Sequence, residues 1–199
     1  LLLVLFLSLP VFGQEEVTIT FVGDVQPHVL ERASSKQLDY IKQQFNGSDF
    51  IFCNLETPLT NHSQLTSGKS TAMIKAGKDY AFKANPSSVR WLKNLGFSVV
   101  SLANNHIMDY TEAGLMDTID ALAKSGIAWC GAGKNKSGAE APVILQNKGN
   151  GVKVGFISYS EIAPLMSDAT ANAPGIAFIR YPPGSEDLMK ITKSIKTAK

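Results

Sequence analysis

Three short apolar runs in this chain each stop at a compact polar cluster, and this repetition narrows the possible folds more than any other feature. Residues 17–22 (VTITFV) lead into Gly23-Asp24. Residues 49–54 (DFIFCN) end in Asn54-Leu55-Glu56, and residues 97–102 (FSVVSL) lead into Ala103-Asn104-Asn105-His106. Aromatic and β-branched residues fill the runs, so each reads as a strand. Between them, apolar residues recur at helical spacing. Residues 34–45 carry Leu38, Ile41 and Phe45, with Ser34 or Ser35 as the cap. Ser87 or Ser88 opens a helix with Val89, Leu92 and Leu95 that Gly96 ends, and Thr111–Ser125 carries Leu115, Ile119 and Leu122 before Gly126. Strands alternating with helices predict an α/β domain with a mainly parallel sheet.

In such a sheet the carboxyl ends of the strands form one edge, and ligand sites sit there. The three clusters are therefore expected to converge. Their Asp, Glu, Asn and His residues are oxygen and nitrogen donors, suited to Mn, Fe, Zn or Mg and not to thiolate chemistry. One Asp after a strand is usually a cap or turn former. Three clusters at equivalent ends predict a site, because an acid directly after an apolar strand is costly to bury unless paired or metal-bound.

Further along, residues 127–129 read as a strand, and residues 142–146 and 152–158 as strands joined by a turn over 147–151. Residues 81–84 read as a short strand. A last helix from Ser185 spaces Leu188, Ile191 and Ile195 on one face. Residues 60–80, rich in Ser, Thr, Gly and Lys, read as a long surface loop, of a length uncommon unless functional. Its Lys69, Lys75 and Lys78 face only Asp79 in charge. That loop is either a solvated segment or a contact for an anionic polymer.

The motifs Gly23-Asp24-Val25, Asn54-Leu55-Glu56-Thr57-Pro58 and Ala103-Asn104-Asn105-His106-Ile107-Met108-Asp109-Tyr110 resemble those of the CapA-type (poly-γ-glutamate capsule) family. Secondary matches are Phe82-Lys83-Ala84-Asn85-Pro86, the stretch from Gly126-Ile127 to Gly131-Ala132-Gly133, and Val154 to Tyr159. The family is similar to the calcineurin-like metallophosphoesterases. The resemblance implies a layered α/β/β/α metallophosphoesterase-like sandwich, here incomplete at the C-terminus, with two divalent metal ions in the full-length protein. It implies Asp24, Glu56 and Asn105 as metal ligands and His106 as the catalytic group, a general acid or a stabiliser of charge. Asn54, Asn104 and Asp109 are expected to support these groups. The wider superfamily has Asp-x-His at the first strand end, where this chain has Gln26. His28, two residues further on, is a weak candidate in its place. His62, in the long loop, is expected to be solvated.

The family carries further histidine motifs on later strands, whereas His28, His62 and His106 are the three histidines here. The chain is therefore expected to be an N-terminal fragment that binds metal weakly by itself. Residues 1–10 (LLLVLFLSLP) match the apolar core of a signal peptide, with Val11 and Gly13 at cleavage positions. The run is too short to span a bilayer as a helix. Residues 1–13 are thus expected to be a signal peptide, residues 14–199 the N-terminal part of one domain, and the location secreted or cell-envelope, with membrane anchoring left open.

A length of 199 residues suffices for one sizeable core. A net charge of +2 gives no support for nucleic acid as a partner. Cys53 and Cys130 lie outside any C-x-x-C pair, so metal binding through them is not expected. Export would allow them to form a disulfide, and free buried thiols are the other reading. The function that follows is an exported, metal-dependent protein linked to poly-γ-glutamate synthesis or to phosphoester hydrolysis. Its partners would be polyglutamate or a phosphoester, with membrane-associated synthesis machinery. The alternative is a non-catalytic polyanion-binding or assembly component.

Overall fold

Each crossover of the first half returns the chain to the neighbouring strand. β1 (Ile19–Val25) is followed by α1 (Pro27–Leu30) and α2 (Ser35–Gln44), and β2 (Phe50–Leu55) by α3 (Thr71–Lys75) and α4 (Val89–Leu95). β3 (Val99–Ser101) leads through α5 (Thr111–Ser125) to β4 (Ala128–Cys130). These strands form a four-stranded sheet in the order β1-β2-β3-β4, and every pair is parallel. The second half holds β5 (Ala132–Gly133), α6 (Lys136–Ala139), β6 (Val143–Gln146), β7 (Lys153–Phe156), β8 (Gly175–Ile176) and α7 (Ser185–Thr197). β6 and β7 make an antiparallel hairpin, and β5 pairs antiparallel with β8. The computed structural model describes residues 15–162 and 167–198, so the expected signal peptide at 1–13 lies outside the described residues.

Alternation along β2 explains the layering, since successive strand side chains point to opposite faces. Cys53 and Leu55 join Val100 and Leu102 against Leu92 and Leu95 of α4 and Leu115, Ile119 and Leu122 of α5. Phe50 and Phe52 face the other way, onto Phe156 of the hairpin, with ring centroids at 6.1 and 5.9 Å. Val99, Cys130, Val143 and Leu145 complete this second core. Beyond the hairpin, Gly155 points outward, and a Cβ built on it would lie 3.0 Å from Ala198 at the end of α7. Helices, sheet, hairpin and helix therefore follow one another, as the expected α/β/β/α layering requires.

Local signals fix the helix ends. The Ser34 side chain accepts from Gln37 N, and the Gln37 side chain returns the bond to Ser34 N, closing a capping box ahead of α2. Gly96 and Gly126 end α4 and α5 with φ of 86° and 67°.

Several expectations are corrected. β1 runs on through Gly23 to Val25, with an irregular register between Phe21 and Asp24, so Asp24 lies within the strand and not past it. Residues 81–84 form no strand; Leu59 and Ala84 make a single parallel bridge. The 60–80 loop contains α3. On α7 the buried residues are Asp187 and Ser194, while Leu188 is 53% and Ile195 46% exposed. The polar side chains turn inward because each has partners there. Asp187 accepts from Gly184 N and Lys190 Nζ, and Ser194 Oγ donates to the Glu140 carbonyl.

Cys53 and Cys130 are free and buried, on strands separated by β3. Burial pushes both thiols up, Cys130 to about 12, and the Asp24 carboxylate adds to the effect at Cys53. Among the described residues no helix is long and apolar enough to cross a membrane.

Candidate functional site

The first two strand ends meet in register, with Asp24 opposite Asn54. Asn54 Nδ2 donates to Asp24 Oδ1 at 2.7 Å. Asn104, just past β3, donates through Nδ2 to Asn54 Oδ1 at 3.0 Å and to the Leu55 carbonyl at 2.9 Å. Its Oδ1 accepts from the backbone N–H of His106 and of Ile107, at 3.0 and 2.9 Å. A single hydrogen-bonded run thus joins Asp24, Asn54, Asn104 and the His106 backbone across three strand ends. Only a side chain that both donates and accepts can fill the two middle places, and the Asn amide does so without charge.

The run ends at an ionic cluster. His106 Nδ1 lies 3.0 Å from Asp109 Oδ2. The same oxygen accepts from Phe82 N at 2.7 Å, and the Asp109 side chain is fully buried. A carboxylate only accepts, so Nδ1 carries the proton. Lys69 Nζ stands 2.8 Å from Asp109 Oδ1, an ion pair whose alignment falls short of a hydrogen bond. Lys69 also reaches Asp79 Oδ1 at 3.6 Å and donates to the Tyr80 carbonyl. The Phe82 ring covers the imidazole, with centroids 4.3 Å apart. His106 Nε2 has no protein partner among the described residues, and the ring keeps 12% of its surface exposed. Burial, aided by the Asp109 charge, raises the neighbouring Tyr110 phenol above its usual range.

On the open side Asp24 is exposed and Glu56 half-buried. Gln26 Nε2 donates to Glu56 Oε2 at 2.8 Å, so the residue that stands in place of the superfamily histidine orients a carboxylate instead. Asp24 Oδ2 and Glu56 Oε1 have no protein partner among the described residues, and Asn105 is half-exposed. These oxygens suit a hard divalent cation. Among the described residues no group of three His, Cys, Asp or Glu side chains stands close enough to hold a metal ion. By donor chemistry alone, Asp24, Glu56 and Asn105 would supply part of a coordination shell and not the whole of one. A cavity of about 660 Å3 lies against Gly23 and Asp24, walled by Leu30, Ile41, Phe45 and Phe97. It touches the strand-end cluster at Asp24, whereas His106 and Glu56 do not line it.

The sheet edge therefore brings Asp24, Asn54, Asn104, His106 and Asp109 into one bonded set, with Glu56 beside it. His28 does not join. It sits on α1 with Nδ1 buried and unpartnered, and no bond ties it to the strand ends. His62 is half-exposed and lies 3.5 Å from Asp117. Sequence reasoning missed Lys69, whose ammonium turns inward. Nothing in a Ser/Thr-rich loop with three lysines singles one of them out for that. It also missed the packing of the Phe82 ring against the imidazole, although the Phe82-Lys83-Ala84 match marked the place.

A parallel sheet with helices on one face, a hairpin on the other and a polar cluster along its carboxyl edge defines an α/β protein of the metallophosphoesterase-like kind. The chain belongs to the family described as bacterial capsule synthesis protein PGA_cap, whose model matches residues 18–199. It is 28% identical over 171 residues to the PGA biosynthesis protein CapA of Bacillus subtilis, covering 83% of this chain and 43% of that protein. It is 32% identical over 167 residues to the capsule biosynthesis protein CapA of Bacillus anthracis, covering 81% and 39%. A probable polyglutamine synthesis accessory protein of Mycobacterium tuberculosis is 31% identical over 137 residues, covering 68% and 34%. The chain spans about two fifths of the length of the two Bacillus proteins.

Proposed function

We propose that this chain carries part of a metal-dependent hydrolytic site that serves the synthesis of poly-γ-glutamate, with His106 as the proton-transfer group. The observation that carries the reading is His106 itself. Its Nδ1–H is tied at 3.0 Å to a fully buried carboxylate, and its Nε2 is left without a protein partner among the described residues. An imidazole held this way exchanges a proton with a substrate atom at Nε2 while the carboxylate fixes ring and tautomer. Asp24, Glu56 and Asn105 are the residues that would hold a divalent cation. Such an ion, when bound, polarises an anionic oxygen and lowers the pKa of water. The other ligands of a full shell would come from outside this set.

The capsule and polyglutamine names of the relatives support the polymer as the setting. Phosphoester hydrolysis rests on the layered fold and the strand-end position alone. Export is part of the reading and rests on residues 1–13, as does any attachment to membrane-bound synthesis machinery.

The test is polymer output from cells whose only copy carries H106A or E56Q, with the melting temperature of each purified variant. General acid–base loss lowers a rate by about 100-fold or more. Loss of output at an unchanged melting temperature is expected. Normal output from both variants would sink the hydrolytic reading and leave an assembly role.

A further inference from the structure

We propose that Lys69 is a positioning residue for His106: brought in by the 60–80 loop, its ammonium clamps the buried Asp109 carboxylate, which in turn holds the imidazole with Nε2 outward. The inference rests on the reading of His106 as the proton-transfer group.

A lysine in a Ser- and Thr-rich loop ordinarily keeps its charged head in water. Lys75 and Lys78 of the same loop do so, whereas the Lys69 side chain is 11% exposed. An ammonium has three donors, and three acceptors surround this one: Asp109 Oδ1, Asp79 Oδ1 and the Tyr80 carbonyl. Asp109 has no access to water. Apart from Lys69, nothing among the described residues faces its Oδ1. Removing Lys69 would leave a buried carboxylate with one bare oxygen, a state that proteins avoid by moving or protonating the group. Either response changes what His106 Nδ1 meets.

Both flanks of the loop are also tied to this residue. Thr66 N donates to the Asp109 carbonyl at 2.9 Å, and Phe82 N to its Oδ2 at 2.7 Å. Phe82 then lies on the imidazole. The loop and the His–Asp pair are therefore one unit. Lys69 acts through Asp109 and touches no reacting atom, so the loop's cation with the best contacts serves the site's interior and is not offered to an anionic polymer.

The test uses the protein as the cell makes it, with 15N-labelled histidine, as wild type, K69M, K69R, H106Q and the double variant K69M/D109N. The His106 Nδ1 proton resonance, assigned by its loss in H106Q, is expected in wild type and K69R and absent in K69M. Polymer output is expected to fall about tenfold or more in K69M and to recover in K69R. The double variant removes both charges together and leaves no lone buried ion, so it keeps the question open to measurement if K69M does not fold. Its output is also expected to stay low. An unchanged Nδ1 resonance in K69M overturns the proposal. So does wild-type output from K69M or the double variant when H106Q abolishes output. If H106Q leaves output intact, the hydrolytic reading fails, and the resonance alone decides on Lys69.

Discussion

Replacing Asn104 with alanine tests the bonded run that joins the strand ends. Asn104 is 6% exposed and makes four hydrogen bonds, donating to Asn54 and Leu55 and accepting from His106 and Ile107. Each bond contributes about 1 kcal/mol net. Truncation also leaves two backbone N–H groups and one carbonyl unpaired at a buried corner, at about 1–3 kcal/mol for each that water does not reach. A loss of about 3–5 kcal/mol is expected, once overlap between these terms is allowed for. Urea denaturation followed by the fluorescence of Trp91 and Trp129 reads it, and an unchanged slope with denaturant marks a loss of native stability. The midpoint of thermal unfolding should drop by roughly 6–20 °C. Asn104→Asp gives no rescue, because a carboxylate keeps the two accepted bonds but turns an oxygen toward Asn54 Oδ1 and the Leu55 carbonyl. Asn54→Ala should cost about 1–2 kcal/mol, since Asn54 is half-buried and makes two of these bonds. A loss below about 1 kcal/mol for Asn104→Ala would refute the argument that this amide holds the corner together.

Gly131→Ala should destabilise the chain by about 2–4 kcal/mol, because Gly131 has φ of 85° and an added Cβ would sit 2.6 Å from that of Ala103. A melting temperature within about 2 °C of wild type would contradict this. The buried thiols give a pH dependence. Their folded pKa values lie above the unfolded ones, so the unfolded state releases its protons first and stability falls as pH rises from about 9 toward 12. The slope is at most about 1.4 kcal/mol per pH unit for each thiol. Cys53→Ala and Cys130→Ala together should flatten it. In the same view, a thiol reagent at pH 8 should label neither cysteine until urea is added.

Much of the fold could be read from the sequence because its signals are local. The helices after Ser34 and Thr111 follow from apolar spacing, from a capping serine and from Gly126. The parallel sheet follows from the alternation of elements, and the meeting of Asp24, Asn54 and Asn104 follows from the sheet. The failures come from side-chain partners and chain offsets that apolar spacing does not carry. Leu188 and Ile195 have helical spacing, yet α7 turns Asp187 and Ser194 inward because Arg180, Lys190, Glu140 and Tyr159 are there to meet them. His28 sits two residues from the superfamily position, and that offset carries it onto α1 and off the strand edge. Lys69 lies 40 residues before Asp109 in the sequence, and neither local composition nor periodicity encodes that pairing.

The distribution of charge along the edge has a consequence for any ligand. Asp24 and Glu56 lie on its open side, and Lys69 is shared between Asp79 and Asp109 on its closed side. The two links between these sides, Asn54 and Asn104, are neutral amides. A carboxylate at either position would break the donor–acceptor order and add negative charge to an edge already rich in it. Even so, acids outnumber bases there. A phosphoester or a polyglutamate strand, itself anionic, is repelled from such an edge unless a cation comes between them. On the proposed reading, a divalent ion at Asp24, Glu56 and Asn105 is thus needed for binding as well as for chemistry. Substrate affinity should then fall with chelation as steeply as turnover does.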